Sequence, residues 1–122
     1  ALTTRRPGKD LSAVRLTIPY PPTANNLFRN LGGGRVKTER YKTWLRAAGN
    51  ELLAQKREQF TGPVIVALTV VRPDKRKRDL DNLIKGPLDL LVDQKIISDD
   101  SEVVKITAAW GDETAIEVCG AT

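Results

Sequence analysis

Val64-Ile65-Val66-Ala67-Leu68-Thr69-Val70-Val71 is the stretch on which the fold turns. It is apolar on both faces and only strand-length, so it predicts a central β-strand and not a membrane span. Thr61-Gly62-Pro63 breaks the chain before it. Working outward, Val14-Arg15-Leu16-Thr17-Ile18 alternates up to Pro19 and predicts a strand. Residues 103–110 and 114–119 predict two more, joined as a hairpin around Gly111-Asp112-Glu113. Two helical stripes lie between the strands. Thr38 caps a predicted helix reaching about Arg57, with Tyr41, Trp44, Leu45, Ala48 and Leu52 on its apolar face. At that spacing Tyr41 and Trp44 read as core residues. Leu83, Ile84, Leu88, Leu91 and Val92 form the second stripe, which must kink or restart at Gly86-Pro87. The resulting order, β-α-β-α-β-β, predicts an α+β domain: a mixed four-stranded sheet with two helices packed on one face. Its other face would be open or covered by a second subunit. Residues 1–12, which contain Arg, Lys, Gly, Pro and Thr and few apolar groups, read as a flexible basic arm before a single domain spanning 13–122. The Gly32-Gly33-Gly34 run is expected to be flexible or to lie close to a ligand's backbone.

Composition narrows the chemistry. The 122 residues contain no histidine and one cysteine, Cys119. Histidine triads, imidazole zinc sites and intrachain disulfides are thereby excluded. Catalytic groups must come from Asp, Glu, Lys, Arg, Ser, Thr or Tyr. Few cysteines and no apolar leader predict a cytoplasmic protein with no membrane association. Residues 1–62 hold 12 basic and 4 acidic side chains, net +8, whereas residues 63–122 are net −3. The basic half points to a polyanionic partner, and the acids need a separate explanation.

Lys75-Arg76-Lys77-Arg78-Asp79-Leu80-Asp81-Asn82-Leu83-Ile84-Lys85 holds that explanation. Four cations run directly into Asp-Leu-Asp. In strand-like geometry Asp79 and Asp81 point to the same side. Paired carboxylates repel unless a cation lies between them, and hard oxygen ligands suit Mg²⁺ or Mn²⁺. Asp81 and Lys85 are four apart, so a helical turn would bring the ammonium to the same site. Asp99-Asp100 offers further carboxylates, or else a solvated polar turn. Cations holding a phosphodiester, carboxylates holding a metal and a lysine beside the phosphate make a nuclease without histidine. Two alternatives stand beside it: a non-catalytic basic DNA-binding module, and a nuclease acting on other branched DNA.

Three segments resemble the RusA-type Holliday-junction resolvases. Pro21-Pro22-Thr23-Ala24-Asn25 is similar to that family's Pro-Pro-Ser-x-Asn signature. Arg78-Asp79-Leu80-Asp81-Asn82 with Lys85 resembles its Arg-Asp-x-Asp-Asn-x-x-Lys motif, and Asp99-Asp100-Ser101-Glu102-Val103 its Asp-Asp-x-x-Val motif. The resemblance implies a homodimeric, Mg²⁺-dependent endonuclease that resolves four-way DNA junctions by paired nicks. Mn²⁺ would be a possible substitute, and no organic cofactor is expected. It assigns metal binding to Asp79, Asp81 and Asp100 and an essential role to Lys85. DNA contacts are expected from Thr23, Asn25, Asn26, Lys75, Arg76, Lys77, Arg78 and Asn82. The Gly86-Pro87 step departs from the continuous helix expected after the lysine.

Overall fold

The computed structural model describes residues 13–55 and 57–121, so the 1–12 arm lies outside the described residues. Eight principal elements follow in order: β1 (Ala13–Thr17), β2 (Phe28–Leu31), β3 (Gly34–Lys37), α1 (Glu39–Leu53), β4 (Val64–Val70), α2 (Lys85–Asp93), β5 (Val103–Trp110) and β6 (Ala115–Gly120). Short 3-10 turns occupy Ala24–Asn26, Leu80–Leu83 and Asp100–Glu102. Four strands form a mixed sheet in the order β1-β6-β4-β5, with β5 parallel to β4 and the other two pairings antiparallel. The α+β architecture expected from the sequence is the one observed.

β4 is interior, as its composition requires, but its faces differ. Val64, Val66, Leu68 and Val70 are buried, and Ile65, Ala67 and Thr69 are half-buried. The buried set joins Val14 and Leu16 of β1, Ile116 and Val118 of β6, and the apolar stripes of both helices in one core. Thr38 caps α1: its Oγ1 accepts from the backbone N–H of Tyr41 at 3.1 Å, satisfying one of the first-turn donors. It ends at Leu53, short of the expected Arg57. α2 begins at Lys85, so Pro87 lies in the first turn, where its missing N–H has no intrahelical partner to lose.

Two expectations need correction. β5 and β6 do not form a hairpin, because β4 lies between them. The connecting residues instead pass the end of β4, where the Gly111 N–H donates to the carbonyl of Val70 at 2.9 Å. A Cβ on Gly111 would stand 2.5 Å from the Thr69 methyl, so any larger residue here would force Thr69 to shift. An interior place for β4 buries its apolar alternation between two partners, which a local β5–β6 pairing would forfeit. The second correction concerns the stretch through Gly32-Gly33-Gly34, for which a loop and no strand was expected; residues 28–37 are regular. These residues form a separate antiparallel hairpin, β2–β3, closed by Gly32 and Gly33 at φ 56° and 84°.

Candidate active site

The Leu80–Leu83 turn carries the central charged motif. Leu83 is buried and anchors it, while Asp79 precedes it in extended conformation. Asp81 is in the first turn of this 3-10 segment, so the two aspartates do not share a strand face as expected. Both are exposed, and among the described residues neither enters an ion pair. The neighbouring arginines turn back instead. Arg78 Nη2 lies 2.7 Å from Asp74 Oδ2, and Arg76 Nη2 lies 3.1 Å from the same oxygen. The hydrogen bond from Arg78 is the main cause holding the Asp74 carboxyl well below the usual carboxylate range. Lys75 and Lys77 are exposed.

Lys85 also departs from expectation. Its ammonium does not pair with Asp81. It lies 3.0 Å from Asp89 Oδ1, one turn further along α2, and 3.7 Å from Asp100 Oδ2. The Asp89 hydrogen bond chiefly accounts for its raised pKa, against the opposing cost of partial burial. Asp89 is itself held. The buried Tyr41 of α1 donates its hydroxyl to Asp89 Oδ2 at 2.5 Å, and burial first, then this bond, pushes the phenol pKa up. Sequence reasoning missed Asp89, although the Lys85–Asp89 spacing of four was a usable signal. Nothing local could have revealed Tyr41, which is 48 positions away.

The Asp99-Asp100 pair divides. Asp99 caps its own 3-10 turn, accepting from the N–H of Ser101 at 3.0 Å and from its hydroxyl at 2.5 Å, and these bonds lower its pKa. Asp100 faces Lys85. Together Lys85, Asp89, Asp99 and Asp100, with Phe28 and Lys37, line a cleft of about 360 Å³.

A second hollow of about 280 Å³ joins the expected DNA-contacting segments, lined by Thr23, Asn26, Arg40 and Arg78 beside Tyr20 and Trp44. Asn26 Nδ2 donates to Thr23 Oγ1 at 3.1 Å, which braces this loop, and Asn25 is exposed. Asn82, half-buried, closes its own turn by donating its N–H to the carbonyl of Asp79 at 3.1 Å. Gly86 explains why the two prolines matter to α2. A Cβ there would lie 3.7 Å from both the Pro22 ring and Trp44, so the Pro-Pro segment packs directly on the turn that carries Lys85.

The oxygen-only donor set of Asp79, Asp81 and Asp100 fits a hard divalent cation. Asp79 and Asp81 have no protein cation competing for them among the described residues. No three of these carboxylates stand close enough together there to enclose an ion.

A cleft that joins carboxylates to two lysines, without histidine, is compatible with phosphodiester chemistry. Comparison with known proteins narrows this. Residues 19–119 match the family described as Endodeoxyribonuclease RusA. A crossover junction endodeoxyribonuclease of Aquifex aeolicus is 33% identical over 90 residues, covering 70% of this chain and 68% of its own. Its counterpart from Enterobacteria phage HK97 is 27% identical over 102 residues, covering 83% and 85%. That of Escherichia coli is 32% identical over 95 residues, covering 77% and 79%. The chain belongs to the RusA endodeoxyribonuclease family and is a nuclease.

Proposed function

We propose that this protein is a Mg²⁺-dependent endonuclease that resolves four-way DNA junctions by paired symmetric nicks, as a homodimer, in recombination and repair. One observation carries the catalytic part. The three motif segments converge on the first turn of α2: Pro21 and Pro22 pack at Gly86, the Asp81 turn leads into Lys85, and Asp100 faces its ammonium. Relatives named crossover junction endodeoxyribonucleases support the four-way substrate.

Asp79, Asp81 and Asp100 would hold the ion, with Mn²⁺ as a possible substitute. When bound, it supplies an acidified water and neutralises charge on the phosphoryl oxygens. Lys85, kept protonated by Asp89, presents a fixed cation to the phosphate as negative charge develops in the transition state. Lys75 and Lys77 neutralise neighbouring phosphates, and Arg78, braced by Asp74, presents a fixed guanidinium beside the Thr23–Asn26 loop. A binder without catalysis would gain nothing from unpaired carboxylates where phosphates approach.

The homodimer reading rests on the sheet. Ile65, Ala67 and Thr69 of β4 face away from the buried core and are half-buried, and their register partners on β5, Lys105, Thr107 and Ala109, are exposed on that same open face. Two identical sites on a twofold axis match two cuts on opposed strands. No described helix is long and apolar enough to cross a membrane. A cytoplasmic site of action, and a 13–122 catalytic domain preceded by a basic arm, complete the proposal.

The test is a synthetic four-way junction incubated with Mg²⁺ or with chelator, with the cuts mapped. Symmetric nicks that require the metal are expected. Binding without cutting would leave the non-catalytic module, and cutting only of flaps or forks would shift the substrate to other branched DNA.

A further inference from the structure

The β2–β3 hairpin stands apart from the main sheet, and the assignments above give it no role. Its base is fixed and belongs to the catalytic cleft. Phe28 pairs with Lys37 across the hairpin, and both line the cleft beside Lys85 and Asp100. The edge of the Phe28 ring meets Tyr41, with centroids 5.7 Å apart and 76° between planes. Thr38, at the root of β3, donates its hydroxyl to the carbonyl of Asn26 at 2.6 Å and its N–H to that of Leu27 at 3.0 Å.

The tip is built differently. Leu31 is 55% exposed, beside the two glycines that close the turn. Its partner across the hairpin is Gly34, which has no side chain to cover it. Alternation places Arg29 on the same face as Leu31, and Arg35 on the other, where its guanidinium stacks over Phe28 at 4.5 Å. No acidic residue occurs from Ala13 to Thr38. One exposed leucine alone means little. An exposed leucine at the end of a cation-bearing arm rooted in a nuclease cleft has a specific use.

We propose that this hairpin is a DNA-probing finger. Arg29, Arg35 and Lys37 follow the phosphates, and Leu31 packs against a base unstacked at the branch point. Three strand steps of about 3.4 Å set Leu31 roughly 10 Å beyond the cleft. That equals about three nucleotide spacings along a strand. Apolar side chains inserted between bases must unstack them, and the cost falls where pairing is already interrupted, as at a branch. The finger therefore favours branched over linear DNA without reading sequence. This inference rests on the branched-DNA reading above.

The test uses full-length protein in chelator, so that it is independent of metal ligation and cutting. A four-way junction and a linear duplex of matched sequence are titrated, with 2-aminopurine at the junction's branch point. The unmodified protein should prefer the junction and raise the probe's fluorescence. Leu31→Ser should bind linear duplex as before, lose about tenfold of the junction preference, the scale of one buried leucine, and abolish the rise. Leu31→Met should restore both. Because Leu31 is exposed, the melting temperature should not change. If Leu31→Ser retains the preference and the rise, the finger is excluded while the branched-DNA reading stands. If the unmodified protein shows no junction preference, both fall.

Discussion

Two regions of one charged run treat their carboxylates in opposite ways. Asp74 is clasped by Arg76 and Arg78, whereas five and seven positions later Asp79 and Asp81 carry no cation among the described residues. The difference shows that net charge along a run does not say who is paired. Short-range geometry around Asp74 engages two of the four consecutive cations, and the later acids are left available for a ligand. A parallel contrast holds for the lysines. Lys85 is positioned by two carboxylates, and Lys75 and Lys77 are exposed.

The largest expected effect breaks the first contrast. Asp81→Asn should lower junction cleavage by about 10³-fold or more, since an amide is a poor ligand for a hard cation, while binding in chelator is unchanged or tighter. Normal cutting by this variant in Mg²⁺ would place the metal elsewhere. Asp79→Asn and Asp100→Asn should behave likewise. Next comes Lys85→Ala, expected to cost on the order of 10²-fold in rate through loss of a fixed cation at the phosphate. Metal affinity, measured by Mn²⁺ titration, should be retained. A large loss there would make Lys85 a structural partner of the carboxylates instead.

Replacing Lys75 and Lys77 by Ala should weaken binding to all DNA shapes and lower the slope of log K against log salt by about 1.8, or about 0.9 per phosphate contact. Adding Arg76→Ala should change that slope less than either lysine, because Arg76 is committed to Asp74. Tyr41→Phe should be milder still. It keeps the ring in the core and removes one hydrogen bond to Asp89, a loss of about 1 kcal/mol and a fewfold reduction in single-turnover rate. In a Lys85→Ala background the same change should leave the rate unaltered.

The smallest effect concerns acid. The folded-state pKa of Asp74 is depressed, so its contribution to order in residues 74–78 is present above the ordinary carboxylate pKa and lost as pH falls through the depressed value. Amide exchange at Arg76, whose N–H donates to Asp74 Oδ1 at 3.0 Å, should therefore stay protected at pH 4. Asp74→Ala, which removes the acceptor, should abolish that protection at any pH.

Much of this molecule is legible in its sequence because the relevant forces act over a few residues. The Thr38 cap, the α1 stripe from Tyr41 to Leu52, the start of α2 just before Pro87 and the interior place of β4 follow from periodicity, capping and the missing proline donor. The absence of histidine removes imidazole chemistry, and the Arg78–Lys85 motif is where the sequence concentrates carboxylates and cations. Pairings across long stretches of chain were decided by the tertiary structure. β5 and β6 separate around β4 because burying an apolar strand on two sides outweighs a local turn. Lys85 pairs with Asp89 and Asp100 and not with Asp81, and the hydroxyl of Tyr41, 48 residues from Asp89, helps fix where that carboxylate stands. The contacts of Lys85 with Asp100 and of Tyr41 with Asp89 depend on how separate elements pack, and no spacing within one element encodes them.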